Sequence, residues 1–244
     1  METIRLGKTE MMVSRLGFGG IPIQRVSGDE AVAVVSRCLE LGITFLDTAN
    51  AYTTSEERIG KAISERWQGL IIATKSTSRT SEGVESHLKL SLKRLGVESI
   101  DLYQFHGVDD SKTLNTILAP NGPMAAIEEA KRAGVVKHIG ITSHSMETAK
   151  EAVKSDRFET IMFPFNMVRY EAAEELLPLA REHDVGFIAM KPLAGGKLDN
   201  VTLAFKYLFQ FPDVVPIPGI GKIGEMEEIV QVLKGLQQTT KTAQ

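Results

Sequence analysis

Residues 43–52, ITFLDTANAY, decide how the chain is read. Ile43 to Leu46 are β-branched or apolar, as a covered strand requires. Asp47 then stands at the strand's end, and Tyr52 follows five residues later. A carboxylate is costly to bury without a partner. The stretch therefore predicts a buried strand whose last residue answers to a charge brought by another element.

The same grammar extends in both directions. A hairpin is expected from Thr3–Leu6 and Met11–Ser14, then a first strand at Arg15–Gly19. Ser27 to Glu30 reads as a capping box opening a helix with apolar Ala31, Val34, Val35, Cys38 and Leu39, stopped by Gly42. The second strand is Thr44–Asp47, and Thr54–Glu57 is expected to cap a second helix. Further strands are expected at Leu70–Thr74, Ile100–Phe105, Lys137–Thr142, Thr160–Phe163, Phe187–Met190 and Val214–Pro218. The helices between them are expected at 81–96, 123–133, from Met146, at 172–182 and at 201–211, with a last one from near Gly224. The strands are near-continuous apolar runs, as in a parallel sheet covered on both faces. Eight strand–helix units in about this length predict an α/β protein, a (β/α)8 TIM barrel with an N-terminal β-hairpin. The rival, a doubly wound open sheet, normally uses fewer strands. No linker interrupts the pattern, so one domain spanning 1–244 is expected.

Composition narrows the partners. Of 244 residues, 43% are hydrophobic and 24% charged, which is ordinary globular usage. A net charge of −3 gives no electrostatic reason to expect nucleic acid or an anionic membrane. No apolar run has the length of a membrane span, and the start, METIRLGKTEMMV, lacks the apolar region of a signal peptide. Cys38 is the only cysteine, so no intramolecular disulfide or cysteine cluster can form, which suits a reducing cytoplasm.

The loop GIGKIG, 219–224, spells a dinucleotide-binding G-x-G-x-x-G after a strand and before a helix. Only 20 residues follow Gly224, too few for a further βαβ unit. In a barrel, the loops after strands seven and eight instead often bind phosphate through backbone N–H groups and a helix N-terminus. A plain glycine-rich turn is the third reading.

A barrel places its active site at the C-terminal ends of the strands. Strand two ends in Asp47 with Tyr52 in its loop, strand three carries Lys75, and strand four runs into His106. Taken singly, Lys75 could snorkel, His106 could be a satisfied core histidine and Tyr52 could be packing. Three successive strands doing this point to a site, because neighbouring strands lie about 5 Å apart. Asp47 can pair with Lys75 and keep both charged. An ammonium beside Tyr52 favours the phenolate, which makes Tyr52 a general acid for a developing alkoxide. His106 can donate to the same oxygen. No carbon nucleophile is evident, so hydride from a nicotinamide is the natural candidate.

With FLDTANAY, ATKS, YQFHG, IGITSHS and VPIPGIGKIGEMEE, the chain resembles the aldo-keto reductase superfamily, in order and spacing, from residue 3 to about 235. Asp47, Tyr52, Lys75 and His106 match that family's catalytic tetrad. The resemblance implies an NADP(H)-dependent oxidoreductase that reduces aldehyde and ketone carbonyls, without a Rossmann domain or a metal. It also implies cofactor contacts. Gly20, Ile21 and Asp47 lie at the first strands. Thr142 and Ser143 stand where the family writes Ser-Asn, and Asn166 matches a frequent asparagine. Lys191, Pro192, Leu193, Gly195 and Gly196 match the loop covering the pyrophosphate. Gly219, Gly221 and Lys222 stand near the 2′-phosphate, and Glu228 near the adenine. The chain departs from the pattern where Met162 replaces a glutamine and Met190 replaces the aromatic residue that stacks on the nicotinamide. The ITSHS pattern is most similar to a bacterial branch, without the four-cysteine iron–sulfur tail that some members carry. Two other functions stay open: a Schiff-base aldolase using Lys75, and a non-catalytic regulatory barrel that binds a nicotinamide nucleotide.

Overall fold

The computed structural model describes residues 1–64 and 66–242, with side chains in the last helix as far as Leu236. An antiparallel hairpin, β1 (Thr3–Arg5) and β2 (Met12–Ser14), comes first. Eight parallel strands follow: β3 (Phe18–Gly19), β4 (Phe45–Asp47), β5 (Ile71–Ser76), β6 (Ile100–Phe105), β7 (Val136–Thr142), β8 (Thr160–Pro164), β9 (Gly186–Met190) and β10 (Val214–Ile217). They pair in chain order in one sheet. Its two edges meet through backbone bonds from Gly17 N to Pro216 O (3.0 Å), Gly19 N to Pro218 O (2.9 Å) and Ile220 N to Gly19 O (3.2 Å). The sheet is thus a nearly closed (β/α)8 barrel, as the alternation predicts. Gly19 must be glycine here, since a Cβ would lie 2.8 Å from the Pro218 carbonyl oxygen.

Helices cover the outside: α1 (Gly28–Glu40), α2 (Ser55–Ile63), α3 (Ser81–Leu95), α4 (Ser111–Leu118), α5 (Pro123–Arg132), α6 (Met146–Lys154), α7 (Glu171–Glu175), α8 (Leu177–Glu182), α9 (Val201–Leu208) and α10 (Ile223–Thr242). The capping box at α1 is present: Ser27 Oγ accepts from Glu30 N (3.2 Å), and Ser27 N donates to Glu30 Oε2 (2.9 Å). Three local expectations need correction. Thr54 does not cap α2. Its backbone is already helical (φ −101°, ψ −1°), whereas a capping residue needs an extended backbone, and its Oγ1 is buried without a partner. The helix expected over 172–182 is broken after Glu175, because Pro178 removes an N–H from the ladder and starts α8 afresh. Helix α4 was not expected, although Asp110 caps it by accepting from Thr113 N (2.8 Å).

The strand period of two sorts side chains between two cores. Leu46, Ile72, Tyr103, Phe105, Ile139, Ile141, Ile161 and Phe163 point outward into the main core beneath the helices. Phe45, Ala73, Leu102, Met162, Ile188, Val215 and Ile217 fill the barrel interior, with Leu6 and Val13 of the hairpin packed among them. Burial of this order supplies the bulk of the folding free energy, at about 25 cal/mol per Å² of apolar surface. The same alternation carries Asp47, Lys75 and Gln104 inward, each one inward step beyond Phe45, Ala73 and Leu102.

Candidate active site

Asp47 and Lys75 meet at the C-terminal end of the barrel. Lys75 Nζ donates to Asp47 Oδ2 (2.6 Å) and to the Thr48 carbonyl (2.7 Å). The ammonium is 1% exposed and the carboxylate 3%. Gln104, paired with Lys75 in the strand register, donates from Nε2 to Asp47 Oδ1 (3.2 Å). Burial would lower the Lys75 pKa, but Asp47, and beyond it Tyr52 and Glu56, hold the ammonium above the usual lysine range. Burial likewise pushes the Asp47 carboxyl up, against the opposing influence of Lys75 and Gln104. A pair this dry is held by its geometry: removing either partner would leave an uncompensated charge.

Tyr52 and His106 sit over this pair. The turn after β4 is fixed by Tyr52 N to Ala49 O (2.9 Å) and Ser55 N to Tyr52 O (2.7 Å). Lys75 Nζ lies 5.2 Å from the centroid of the Tyr52 ring. The rings of Tyr52 and His106 meet edge to face, with centroids 5.6 Å apart. The His106 backbone is held on both sides: its N donates to Ser76 O (2.9 Å), and its carbonyl accepts from the Arg79 guanidinium (2.6 Å). Burial first, then the charges of Lys75 and Arg79, push the His106 pKa down to about 3, so the ring is neutral near pH 7. Its Nδ1 is buried and has no partner.

The far side of the mouth, from β7 to β10, is built differently. Thr142 Oγ1 accepts from Gly107 N (2.8 Å). Ser143 Oγ is within reach of Asp109 Oδ1 (3.2 Å) and the Ser145 carbonyl (3.1 Å). Asn166 donates to Lys191 O (2.9 Å) and accepts from Val168 N and Arg169 N (3.0 Å each). Met190 ends β9, partly buried against the interior cluster that holds Met162. Past β9, Lys191, Ala194, Gly195 and Gly196 all have positive φ (55°, 50°, 71° and 89°), a loop folded around Pro192 and Leu193. A Cβ at Gly195 or Gly196 would meet nothing within 4 Å, so this loop keeps open space beside the exposed Lys191 and Lys197. At the seam, Gly20 N donates to Asp47 O (2.8 Å), exposed Ile21 leads into Pro22, and Gly219 and Gly221 approach Pro22. The N–H groups of Gly221 and Lys222 both donate to Glu225 Oε2 (2.8 and 3.0 Å). The amides expected to face a phosphate are therefore capped by the chain's own carboxylate. Glu228 is exposed and lines a cleft of about 710 Å³ between α9 and α10 with Thr202, Lys206 and Gln231.

Comparison with known proteins gives the family. The profile of the Aldo/keto reductase family matches residues 15–203. The chain belongs to the aldo/keto reductase family. It is 32% identical over 217 residues to the oxidoreductase YqkF of Bacillus subtilis strain 168, covering 83% of this chain and 68% of that one. It is 29% identical to the oxidoreductase C215.11c of Schizosaccharomyces pombe, covering 94% and 84%. Among solved structures, the holo form of aldo-keto reductase AKR11C1 from Bacillus halodurans superposes with a TM-score of 0.83 at 28% identity, covering 96% and 91%. Membership makes the protein a nicotinamide-dependent oxidoreductase of small carbonyl compounds, on a bacterial-type aldo-keto reductase barrel. No helix among the described residues is long and apolar enough to cross a membrane.

In this aldo-keto reductase the four strand-end residues chosen from sequence lie together, joined in a chain by Asp47–Lys75 (2.6 Å), Lys75 to the Tyr52 ring centroid (5.2 Å) and the Tyr52–His106 ring pair (5.6 Å). Gln104 and Arg79 escaped the sequence reading. A glutamine inside an apolar strand, one inward step before the His106 loop, was the available signal for Gln104; Arg79 had none, since its contact is with a backbone carbonyl from another strand.

Proposed function

We propose that this chain is an NADPH-dependent reductase of aldehyde and ketone carbonyls, with residues 1–244 acting as one domain in the cytoplasm. Tyr52 is the general acid. The observation that carries this reading is the buried Lys75 ammonium, paired with Asp47 at 2.6 Å and 5.2 Å from the Tyr52 ring centroid, with neutral His106 packed edge to face with that ring. When bound, a nicotinamide would supply the hydride for the carbonyl carbon. Tyr52 gives its phenolic proton to the carbonyl oxygen, and Lys75 stabilises the phenolate left behind. Neutral His106 can donate one N–H to the same oxygen, which orients the substrate without adding a charge. Asp47 keeps Lys75 charged and in place.

The donor chemistry past β9 and β10 fits a phosphate-bearing cofactor: exposed Lys191, Lys197 and Lys222 surround loops with open space at Gly195 and Gly196. Thr142, Ser143, Asn166 and Met190 would line the nicotinamide end, Gly20 and Ile21 the seam, and Lys191 to Gly196 the pyrophosphate. Gly219, Gly221 and Lys222 would meet the 2′-phosphate, with Glu228 toward the adenine. The aldolase reading loses support, because a Schiff-base lysine needs a lowered pKa and Lys75 is held above its usual range. The regulatory-barrel reading keeps one supporting observation: Ser143 and Asn166 already spend their side chains on the protein itself. A fluorescence titration with NADPH and NADH, followed by an aldehyde panel, separates the two. Tight binding with no turnover of any aldehyde would favour the regulatory barrel, and Tyr52-dependent turnover the reductase.

A further inference from the structure

Gln104 is fully buried in the barrel, and the proton chemistry described above gives it no task. It faces inward from the position that pairs with Lys75 on one side and Gly140 on the other. On the Gly140 side there is no room: a Cβ there would already lie 3.1 Å from Gln104 Cγ. The amide turns toward Asp47 and donates to Oδ1, the oxygen that Lys75 leaves free. Its own Oε1 is buried without a partner. A buried amide with one end unsatisfied costs more than an apolar side chain of the same shape. For core stability alone the amide therefore brings little net gain over a methionine, since its bond to Asp47 is offset by the unpaired Oε1.

We infer that Gln104 is a positioning residue, which locks the Asp47 carboxylate so that Lys75 is held against Tyr52. The inference rests on the reading of Tyr52 as the acid. Among the described residues, Lys75 and Gln104 alone bond the Asp47 side chain. The other charged or titratable groups around the pair are Tyr52 from the loop after β4, Glu56 from α2 and His106 at the end of β6. Arg79, Asp109 and His144 act on His106.

The test is Gln104→Met, which fills the volume without the amide. Its thermal midpoint should fall little, because losing the bond to Asp47 and removing the unpaired Oε1 offset each other, whereas kcat should fall roughly ten- to hundredfold, the loss of one hydrogen bond to a charged group. KM should change little. The acid limb of the kcat profile should move to higher pH, since a carboxylate short of a donor takes up its proton more readily. Gln104→Glu should recover activity as the pH falls, because a protonated carboxyl can donate where the amide did, and lose it as two carboxylates come to face each other. A Met variant with normal kcat and profile, one whose activity falls only with its folded fraction, or a Glu variant that tracks the Met variant at every pH would each overturn the inference. Tyr52→Phe, run alongside, separates the two levels. If it stays active, the reading of the whole site fails; if it is dead while Gln104→Met is normal, only the role of Gln104 does.

Discussion

The two halves of the barrel mouth are built from different materials. From β4 to β6 the groups are side chains on strands, buried and bonded to one another: Asp47, Lys75 and Gln104, with Tyr52 and His106 over them. From β7 to β10 the corresponding side chains are bonded to the protein's own loops, and what faces outward is glycine-rich backbone with exposed lysines. Proton transfer needs a group at a fixed atom with a set charge, which only a braced side chain gives. Gripping a long anionic ligand needs many N–H donors and diffuse positive charge, which loops and helix ends can supply without particular side chains.

The comparison breaks most visibly at Tyr52. Tyr52→Phe should lower kcat by roughly 10²–10⁴-fold, the range of acid–base catalysis, and leave nucleotide dissociation constants unchanged. A variant that loses nucleotide binding as well would show that the halves are not separable. Next is Lys75→Met, which strands a carboxylate that is 3% exposed. Activity should vanish and unfolding free energy should drop on the order of 3–5 kcal/mol, as for the breaking of a buried pair; urea denaturation measures it. A smaller effect is expected from His106. The folded ring binds a proton only at about pH 3, but the unfolded ring does so near 6.5. The unfolded state thus holds the extra proton between these values, and stability is present above pH 6.5 and declines as pH falls toward 3. His106→Gln should flatten that decline in urea midpoints between pH 7 and 4.5; an equal slope would assign the acid sensitivity elsewhere.

The smallest effects belong to the loop half. Lys222 is exposed, so the contact proposed with a 2′-phosphate would be screened, and Lys222→Ala should weaken NADPH against NADH by roughly two- to fivefold, the scale of an exposed ion pair. Glu225→Ala should shift the ratio the other way by a similar factor, because it frees the Gly221 and Lys222 amides. Dissociation constants at fixed ionic strength decide this. An unchanged ratio in both variants would remove the phosphate from this loop.

Much of this is legible in the sequence alone. Ser27 and Glu30 announced α1, apolar runs marked the eight strands, and polar groups at the ends of three of them marked the site. The failures were local competitions that sequence pattern does not rank. Thr54 has the right chemistry for a cap but the wrong backbone, since its own φ and ψ (−101° and −1°) are already helical. Pro178 was a visible break inside a convincing apolar helical pattern. Gln104 read as one polar residue in a strand, since nothing local says which of two faces meets a carboxylate.

The sequence by itself determined the alternation of strands and helices and the chemistry of the residues at the mouth. These are short-range properties, set by side-chain type and by a strand period of two. Tertiary structure alone decided how β3 closes on β10, that Lys75 spends two donors on Asp47 and Thr48, that Arg79 holds the His106 carbonyl, and that Glu225 caps the glycine loop. Each of these joins elements distant in the chain or selects one rotamer among several. Their outcome depends on register, closure and the removal of water, which are properties of the packed barrel and of no single stretch of it.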